Sequence, residues 1–528
     1  MYKLLPILVF FCLIGCKKEI PDVKVISKPK IIKRDTITEG KILQIDTTLY
    51  PKFESPILVS FYKTYNDETV WQSSKNRKFI LSELNNSENE GLNPVDYRVK
   101  KLNDFEKKFS GLSDKEMVDY DLLLTYNLQK YIWHISQGKL NPKALYPDWD
   151  LKSKNTDVNA VLLKAFKENK FQQTIDSCKP QHIVYKRLKE ALQIVNAFPK
   201  DILKKISDKD KIVLNDTNNS LINIKNRLIY WRDLKPQDSL TTIYDERTLK
   251  AVKKFQKRHG LAADGVIGKG TIAALNFSKR KRKEQIIANL ERWKWFPSDL
   301  GAHYLIINIP DYKLEVVKKT DTIRSYRVIV GSAKRKTPIL SSKLSYAVFN
   351  PTWTVPPTIL KEDVIPATNK NRGYLASKNI TVFDNTGNEV KAADWQLSRA
   401  KSYRYVQSPG TYNSLGMVKI IFPNHFSVYL HDTNHRDYFI KTNRSLSSGC
   451  VRVENPLELT EYLLDDAENW NLEKIIEGLK DGKTKNITIK QAVNVLLLYW
   501  TAWSEKNELQ FRDDIYYLDE DLYTKLRN

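Results

Sequence analysis

Two hydrophobic periodicities divide the chain. From residue 56 to about 235, apolar positions recur at helical spacing: Asp121-Leu122-Leu123-Leu124 continues through Tyr126, Leu128, Tyr131, Ile132 and Ile135, and Gly138 with Pro142 follows as a stop. Within 220–276 the pattern forms a compact unit. Asp245 is placed as an N-cap, and Leu249, Val252 and Phe255 share one face of a helix ending at Gly260. A turn follows at Asp264-Gly265-Val266-Ile267-Gly268, then a short helix over 271–275. From about Arg292 the period shortens. Residues 304–309, 313–317, 326–330, 418–422 and 427–431 read as strands separated by Gly, Pro and Asn turns. Residues 357–405 interrupt this β-rich region with a polar, charged segment that lacks a strand pattern. Loops of that length are functional, as lids are, or disordered. The fold class is multidomain α+β.

Composition narrows the class. At roughly 100–200 residues per domain, 528 residues suit two to four domains. Hydrophobic residues make up 41% and aromatic residues 11%, which excludes a largely disordered or collagen-like chain. No apolar run reaches the roughly 18 residues of a membrane-spanning helix, which excludes a polytopic helical membrane protein. Four cysteines, Cys12, Cys16, Cys178 and Cys450, are too few for a disulfide scaffold and lack the paired spacing of a structural zinc site.

The N-terminus sets the expected compartment. Lys3 supplies a short positive end, and residues 4–14 form an apolar stretch of signal-peptide length. The stretch ends Leu13-Ile14-Gly15-Cys16 before Lys17 and Lys18, which resembles a bacterial lipoprotein cleavage site with Cys16 carrying the lipid. A plain secretory signal with an incidental cysteine is the alternative, and either one places the mature protein outside the cytoplasm. The net charge of +24, from 86 Lys and Arg against 62 Asp and Glu, would ordinarily point to nucleic acid, but an exported protein rarely meets it. Anionic wall polymers, a membrane surface, or simply a Lys-rich solvated surface remain open.

Candidate chemistry lies in Ser427-Val428-Tyr429-Leu430-His431-Asp432-Thr433 and Ser447-Ser448-Gly449-Cys450-Val451-Arg452-Val453-Glu454-Asn455. His431 falls at a strand end. Cys450 falls in a loop before a helix for which Asn455, Pro456 and Glu458 propose an N-cap, N1 and capping box. A cysteine nucleophile must be a thiolate, and a nearby imidazole can accept its proton. Gly449 permits a tight turn that aims N–H groups at an oxyanion, and Arg452 can hold a carboxylate in a bidentate pair. One Cys and one His are weak evidence by themselves, because a free cysteine is commonly a buried structural residue. His431 and His435 stand four apart, but Asp432 follows the first where the zinc helix needs Glu, and the preceding residues alternate like a strand. No metal is expected.

These segments resemble two known families. YDERTLKAVKKFQKRHGLAADGVIGKGTIAALN is similar to the small peptidoglycan-binding module of wall enzymes, with a three-helix bundle of no binding role as the alternative. The C-terminal region resembles the catalytic domain of L,D-transpeptidases, the YkuD-type fold, through His431 followed by Ser447-Ser448-Gly449-Cys450-Val451-Arg452. Many members carry His before Gly-Cys. Ser448 stands here, as in the large YcbB-like subgroup, which leaves a backbone carbonyl as the expected partner orienting His431. Further similarity runs through Asn289–Pro297, Ile307–Val316, Asn350–Ile359, Ser408–Asn424, Leu497–Trp503, Phe511–Tyr516 and Gly91–Tyr97. The resemblance implies a signal peptide over 1–15, a tether over 16–55, a helical scaffold over 56–215 and a peptidoglycan-binding-like module over 216–277. A catalytic domain follows over 300–480, with a lid at about 357–405 that caps the substrate. A C-terminal segment over 481–528 packs on the scaffold or catalytic domain.

The activity so implied is peptide transfer between peptidoglycan stems without a cofactor. Cys450 attacks a tetrapeptide donor at its third residue, D-Ala leaves, His431 shuttles the proton, and the diamino acid of an acceptor stem takes the acyl group in a 3→3 cross-link. Gly449, Cys450 and Ser448 form the catalytic turn. Arg452 positions the donor or forms a structural salt bridge. Tyr412, Asn413 and Gly416 line the donor cleft, and Trp353 lines it or belongs to a core. An L,D-carboxypeptidase or endopeptidase, a non-catalytic wall-binding lipoprotein, and an enzyme that attaches an outer-membrane protein to the wall are the competing readings. The expected location is the cell envelope, in the periplasm, anchored to a membrane by the N-terminal lipid.

Overall fold

The structure is a computed structural model that describes residues 40–207 and 211–528. The expected signal peptide, Cys12, Cys16 with its expected lipid, and most of the expected tether lie outside these residues. The part of the tether that is described corrects the boundary at residue 55. Residues 40–55 pack onto the helical domain through Ile45 and Tyr50, both buried in its core, and Ile45 N–H donates to Asp67 O at 2.7 Å. A few isolated apolar side chains dock this stretch, so no periodicity marks it.

The scaffold centres on α1, Asp114–Gln137. Its first turn is closed by a capping box in which Ser113 and Glu116 exchange hydrogen bonds, and Gly138 ends it. From Val118 onward most of the helix is buried, and Asp121 ties it to a neighbouring segment by accepting from Tyr62 Oη at 2.6 Å and from the Val70 and Trp71 N–H groups. Three helices follow in the next unit: α2, Ser220–Tyr230; α3, Glu246–Arg258; and α4, Lys269–Leu275. Asp245 caps α3 as its sequence indicates, accepting from Thr248 N–H at 2.7 Å. Val252 and Phe255 are fully buried, and Leu249 packs partly buried against the same core. Helix α5, Lys279–Trp295, then runs through the centre of the molecule and delivers the chain to a large sheet.

That sheet contains β1, His303–Asn308; β2, Lys313–Lys318; β3, Asp321–Gly331; β4, Ile339–Lys343; β5, Tyr346–Phe349; β6, Val418–Ile421; β7, Leu430–His431; β8, Val451–Val453; β9, Lys485–Thr488; and β10, Asn494–Leu498. Their order is β4-β10-β1-β2-β3-β8-β7-β6-β5-β9. The segment after residue 480 therefore does more than pack on the catalytic domain. It supplies an interior strand, β10, parallel to β1 and antiparallel to β4, and adds β9 beside β5. The strand expected over 427–431 shrinks to Leu430–His431, because Ser427 turns the chain at φ 57°. Asn455 also departs from expectation. It lies in the left-handed region at φ 51° and its side chain caps nothing, so no capping box forms with Glu458.

Residues 357–405 fold into a small layer of their own. Trp353–Thr354, Arg404–Gln407 and Thr381–Phe383 form a three-stranded sheet in that order. Val355, Val364, Leu375, Ile380, Val382, Trp395 and Tyr405 build its separate core. Trp395 Nε1 donates to Tyr405 Oη at 2.7 Å. Strands of two to four residues are too short to show a period of two, which is why the segment reads as patternless.

Candidate active site

The site is one face of the sheet. Side chains alternate across a strand, so register alone sorts them. Ala347, Ile420, Leu430 and Val451 pair in successive strands on the core face, and each is fully buried. One residue along, Val348, Lys419, His431, Arg452 and Ile329 pair on the opposite face. Tyr429 and Cys450, each two residues before His431 and Arg452, lie next to them, and the Tyr429 and His431 rings meet edge-on with centroids 5.6 Å apart.

Cys450 is presented by a buttressed turn. Gly449 sits at φ 117°, where a side chain would be strained. Ser447 Oγ donates to Cys450 O at 2.6 Å and accepts from Gly449 N–H at 3.2 Å. Thr337 Oγ1 donates to Gly449 O at 2.8 Å, and its own N–H donates to Tyr516 Oη at 3.0 Å. The C-terminal segment thus supports the turn from beneath. Ser448 turns outward, and its hydroxyl accepts from Arg335 Nη1 at 3.0 Å. The same guanidinium grips the base of the lid through Glu362 at 2.8 Å and Asp363 at 2.6 Å. Arg335 therefore connects the cysteine turn to the lid.

Burial pushes the Cys450 thiol up, while the Tyr429 main chain and hydroxyl, then Arg452 and Lys419, pull it back down. His431 is held neutral. Burial, then the Arg452 charge, lower its pKa to about 3, with the Asp432 main chain partly opposing the drop. Among the described residues Nδ1 has no hydrogen-bond partner, and the Asp432 main chain is the backbone group that contacts the ring. Arg452 is likewise incomplete. Its Nε and Nη1 are buried without partners, and among the described residues no carboxylate pairs with it. His431 lies in a strand, whereas His435 precedes the short helix Arg436–Ile440, so the two do not share a helical frame.

The other expected site residues separate. Tyr412 is 73% exposed and, with Gln407, Ser408, Asn379 and Thr381, lines a cleft of about 480 Å³ between the lid and the 408–413 loop. Asn413 also borders that cleft, but its side chain is spent within the loop. Its Nδ2 donates to the carbonyls of Pro351 and Ser408, and its Oδ1 accepts from Leu415 N–H. Gly416, at φ 60°, makes room for the buried Asp432 carboxylate, which a Cβ there would approach at 2.4 Å. These two residues shape the loop and present no ligand-binding group. Trp353 is partly buried against the lid core. Lys419 and Arg335 went unnoticed in the sequence. The alternation Val418-Lys419-Ile420 was the available signal for the first, since it puts the lysine on the face shared with His431.

Comparison with known proteins gives the same three regions. Residues 302–481 match the family described as "L,D-transpeptidase catalytic domain", 217–275 that described as "Putative peptidoglycan binding domain", and 56–192 that described as "Scaffold domain". A Haemophilus influenzae protein named "Putative L,D-transpeptidase" is 35% identical over 288 residues. The alignment covers 52% of this chain and 58% of the relative, so the chain spans less than two thirds of that relative's length. Crystal structures of L,D-transpeptidases from Xylanimonas cellulosilytica and Stackebrandtia nassauensis align at 15% and 14% identity, over 55% and 56% of this chain and 98% and 97% of theirs, with TM-scores of 0.17 and 0.22. Overlaps this loose do not bear on the fold. By the family matches, the chain carries an L,D-transpeptidase catalytic domain together with a peptidoglycan-binding domain and a scaffold domain.

Proposed function

We propose that the protein cross-links peptidoglycan stems by 3→3 transpeptidation through an acyl-enzyme on Cys450. The observation that carries this reading is the juxtaposition, on one sheet face, of a cysteine, a neutral imidazole and a guanidinium whose donors lack partners. A neutral histidine can accept a proton, and unpartnered buried donors await an acceptor from outside the chain. In the forward step Cys450 Sγ bonds to the carbonyl carbon of the donor's third residue and its proton passes to His431. The C–N bond to D-Ala breaks, and the amine leaves with that proton. An acceptor amine then forms the new amide and the thiol is restored. The developing oxyanion is held by Cys450 N–H and, once it releases Ser447, by Gly449 N–H. Arg452 receives the donor carboxylate.

The latched, separately folded lid favours transfer over hydrolysis, since excluding water protects the acyl-enzyme for an amine. The diamino-acid stem is the acceptor we assign, and the peptidoglycan-binding domain suits a wall substrate. The location we assign is the periplasmic face of a membrane, held by lipid on Cys16. Incorporation of a labelled fatty acid that disappears in Cys16→Ser checks that placement. Incubating the chain with tetrapeptide stems tests the reaction itself. Cross-linked dimer with released D-Ala supports transfer, free tripeptide without dimer moves the protein to the carboxypeptidases, and dimer made equally by Cys450→Ala rejects the nucleophile.

A further inference from the structure

The face that carries Cys450 and His431 holds a second cation that the reaction above does not use. Lys419 occupies the interior of β6 between Val418 and Ile420, whose side chains are fully buried on the opposite face. Register sets it directly across from His431, which in turn lies across from Arg452. Its ammonium stands 5.7 Å from the centroid of the Tyr429 ring, and Tyr429 borders Cys450. The groups around it are Tyr429 just before β7 and His431 within it, Cys450 just before β8 and Arg452 within it, and the apolar Val348 from β5. Among the described residues no carboxylate forms an ion pair with Lys419.

A half-buried ammonium without a counter-charge is unfavourable, and burial accordingly lowers the Lys419 pKa. The one partner that favours its charged form is Cys450 in its ionised state. We infer that Lys419 shares with Arg452 the role of counter-ion to the Cys450 thiolate, as a positioning residue that stabilises the nucleophile's charge and transfers no proton itself. His431 cannot fill this role before reaction, because it is neutral until it takes the thiol proton. Sγ–H gives its proton to His431, the electron pair stays on sulfur, and Lys419 remains protonated throughout. The inference rests on the proposal that Cys450 is the nucleophile.

The test is the pH profile of Cys450 alkylation by iodoacetamide in the full chain, followed on the Cys450 peptide by mass spectrometry so that Cys178 does not contribute. An opposite charge close to a titratable group shifts its pKa by about one unit or more. Lys419→Met should raise the alkylation midpoint by about one unit and lower the rate at neutral pH about tenfold, and Lys419→Arg should restore most of both. Should the Met variant not fold, Lys419→Gln carries the same expectation. A midpoint unchanged in a folded Met or Gln variant overturns the inference. So does a raised KM for tetrapeptide stems with an unchanged midpoint, which would make Lys419 a substrate anchor. Retention of product by Cys450→Ala would instead remove the underlying proposal, whatever the Lys419 variants show.

Discussion

Two of the places where the protein buries charge are built differently. In α5 the side chains of Asn289, Glu291, Arg292 and Lys294 are fully buried, and their charged groups find partners within the chain. Arg292 donates to Asp519 and to Asn289, both at 2.9 Å, while Glu291 accepts from Leu140 N–H at 3.0 Å and Lys294 Nζ at 3.2 Å. On the sheet face, His431 Nδ1 and Arg452 Nε and Nη1 are equally hidden and have no partner, and Lys419 faces no carboxylate. Burial alone does not distinguish a structural charge from a functional one. A counter-charge does: Arg292 is ion-paired with Asp519 although its own Nε is buried without a partner, whereas Arg452 and Lys419, on the face of β6, β7 and β8, pair with no carboxylate among the described residues.

Substituting at each place should separate the two kinds of charge. His431→Gln is expected to lower kcat by roughly 10²–10⁴-fold, the range of a lost general acid–base, while its denaturation midpoint stays within about 1 kcal/mol of wild type. Arg292→Met should do the reverse. It strands the Asp519 carboxylate and should cost about 3–5 kcal/mol of stability in a denaturant titration. Arg452→Met, with no carboxylate to strand, should change stability by less than about 1 kcal/mol while reducing turnover. Equal destabilisation by Arg292→Met and Arg452→Met would erase the distinction.

Acid should weaken the fold through its buried neutral histidines. His134 is lowered to about 3, His182 to about 4 and His431 to about 3, in each case mainly by burial. A folded pKa below the unfolded value means that the unfolded chain binds more protons, so stability is present above about pH 6.5 and is lost as pH falls toward 3–4. At pH 5 each contributes a loss of about 2 kcal/mol. Asp519, raised by burial and by Asp514, works in the opposite sense. His134→Gln should remove one histidine's share of the pH 7 to pH 5 difference, and an unchanged difference would refute the assignment. The smallest effect is expected at the latch. Arg335→Ala should cost at most about 1 kcal/mol in stability, since the ion pair is partly exposed, yet should raise the ratio of tripeptide to dimer as water gains access.

Legibility in the sequence followed the range of the forces involved. Helix α3 was readable because its cap, its apolar stripe and its terminal glycine all lie within sixteen residues of chain, from Asp245 to Gly260. Strand β10 was not, since its place between β1 and β4 depends on partners more than 150 residues away. The lid hid its strands because each spans only two to four residues, and residues 40–55 hid their docking because only scattered side chains contribute. At the site, Cys450, His431 and Arg452 stood out as a motif. Lys419 belongs to no motif, and the bond from Arg335 to Ser448 joins residues 113 apart. Asn413 and Gly416 are tied into their loop by hydrogen bonding and close packing, which depend on partners the local sequence does not show.

The central claim is that the open charges on the sheet face make Cys450 an acylated nucleophile. Rapid quenching of the full chain with tetrapeptide stem, followed by intact-mass and peptide-level mass spectrometry, tests it most directly. The account requires a transient adduct of the tripeptide acyl group on Cys450 in the wild type, absent from Cys450→Ala and formed far more slowly in His431→Gln. Cross-linked product accumulating without an adduct, or an adduct on another residue, would contradict it.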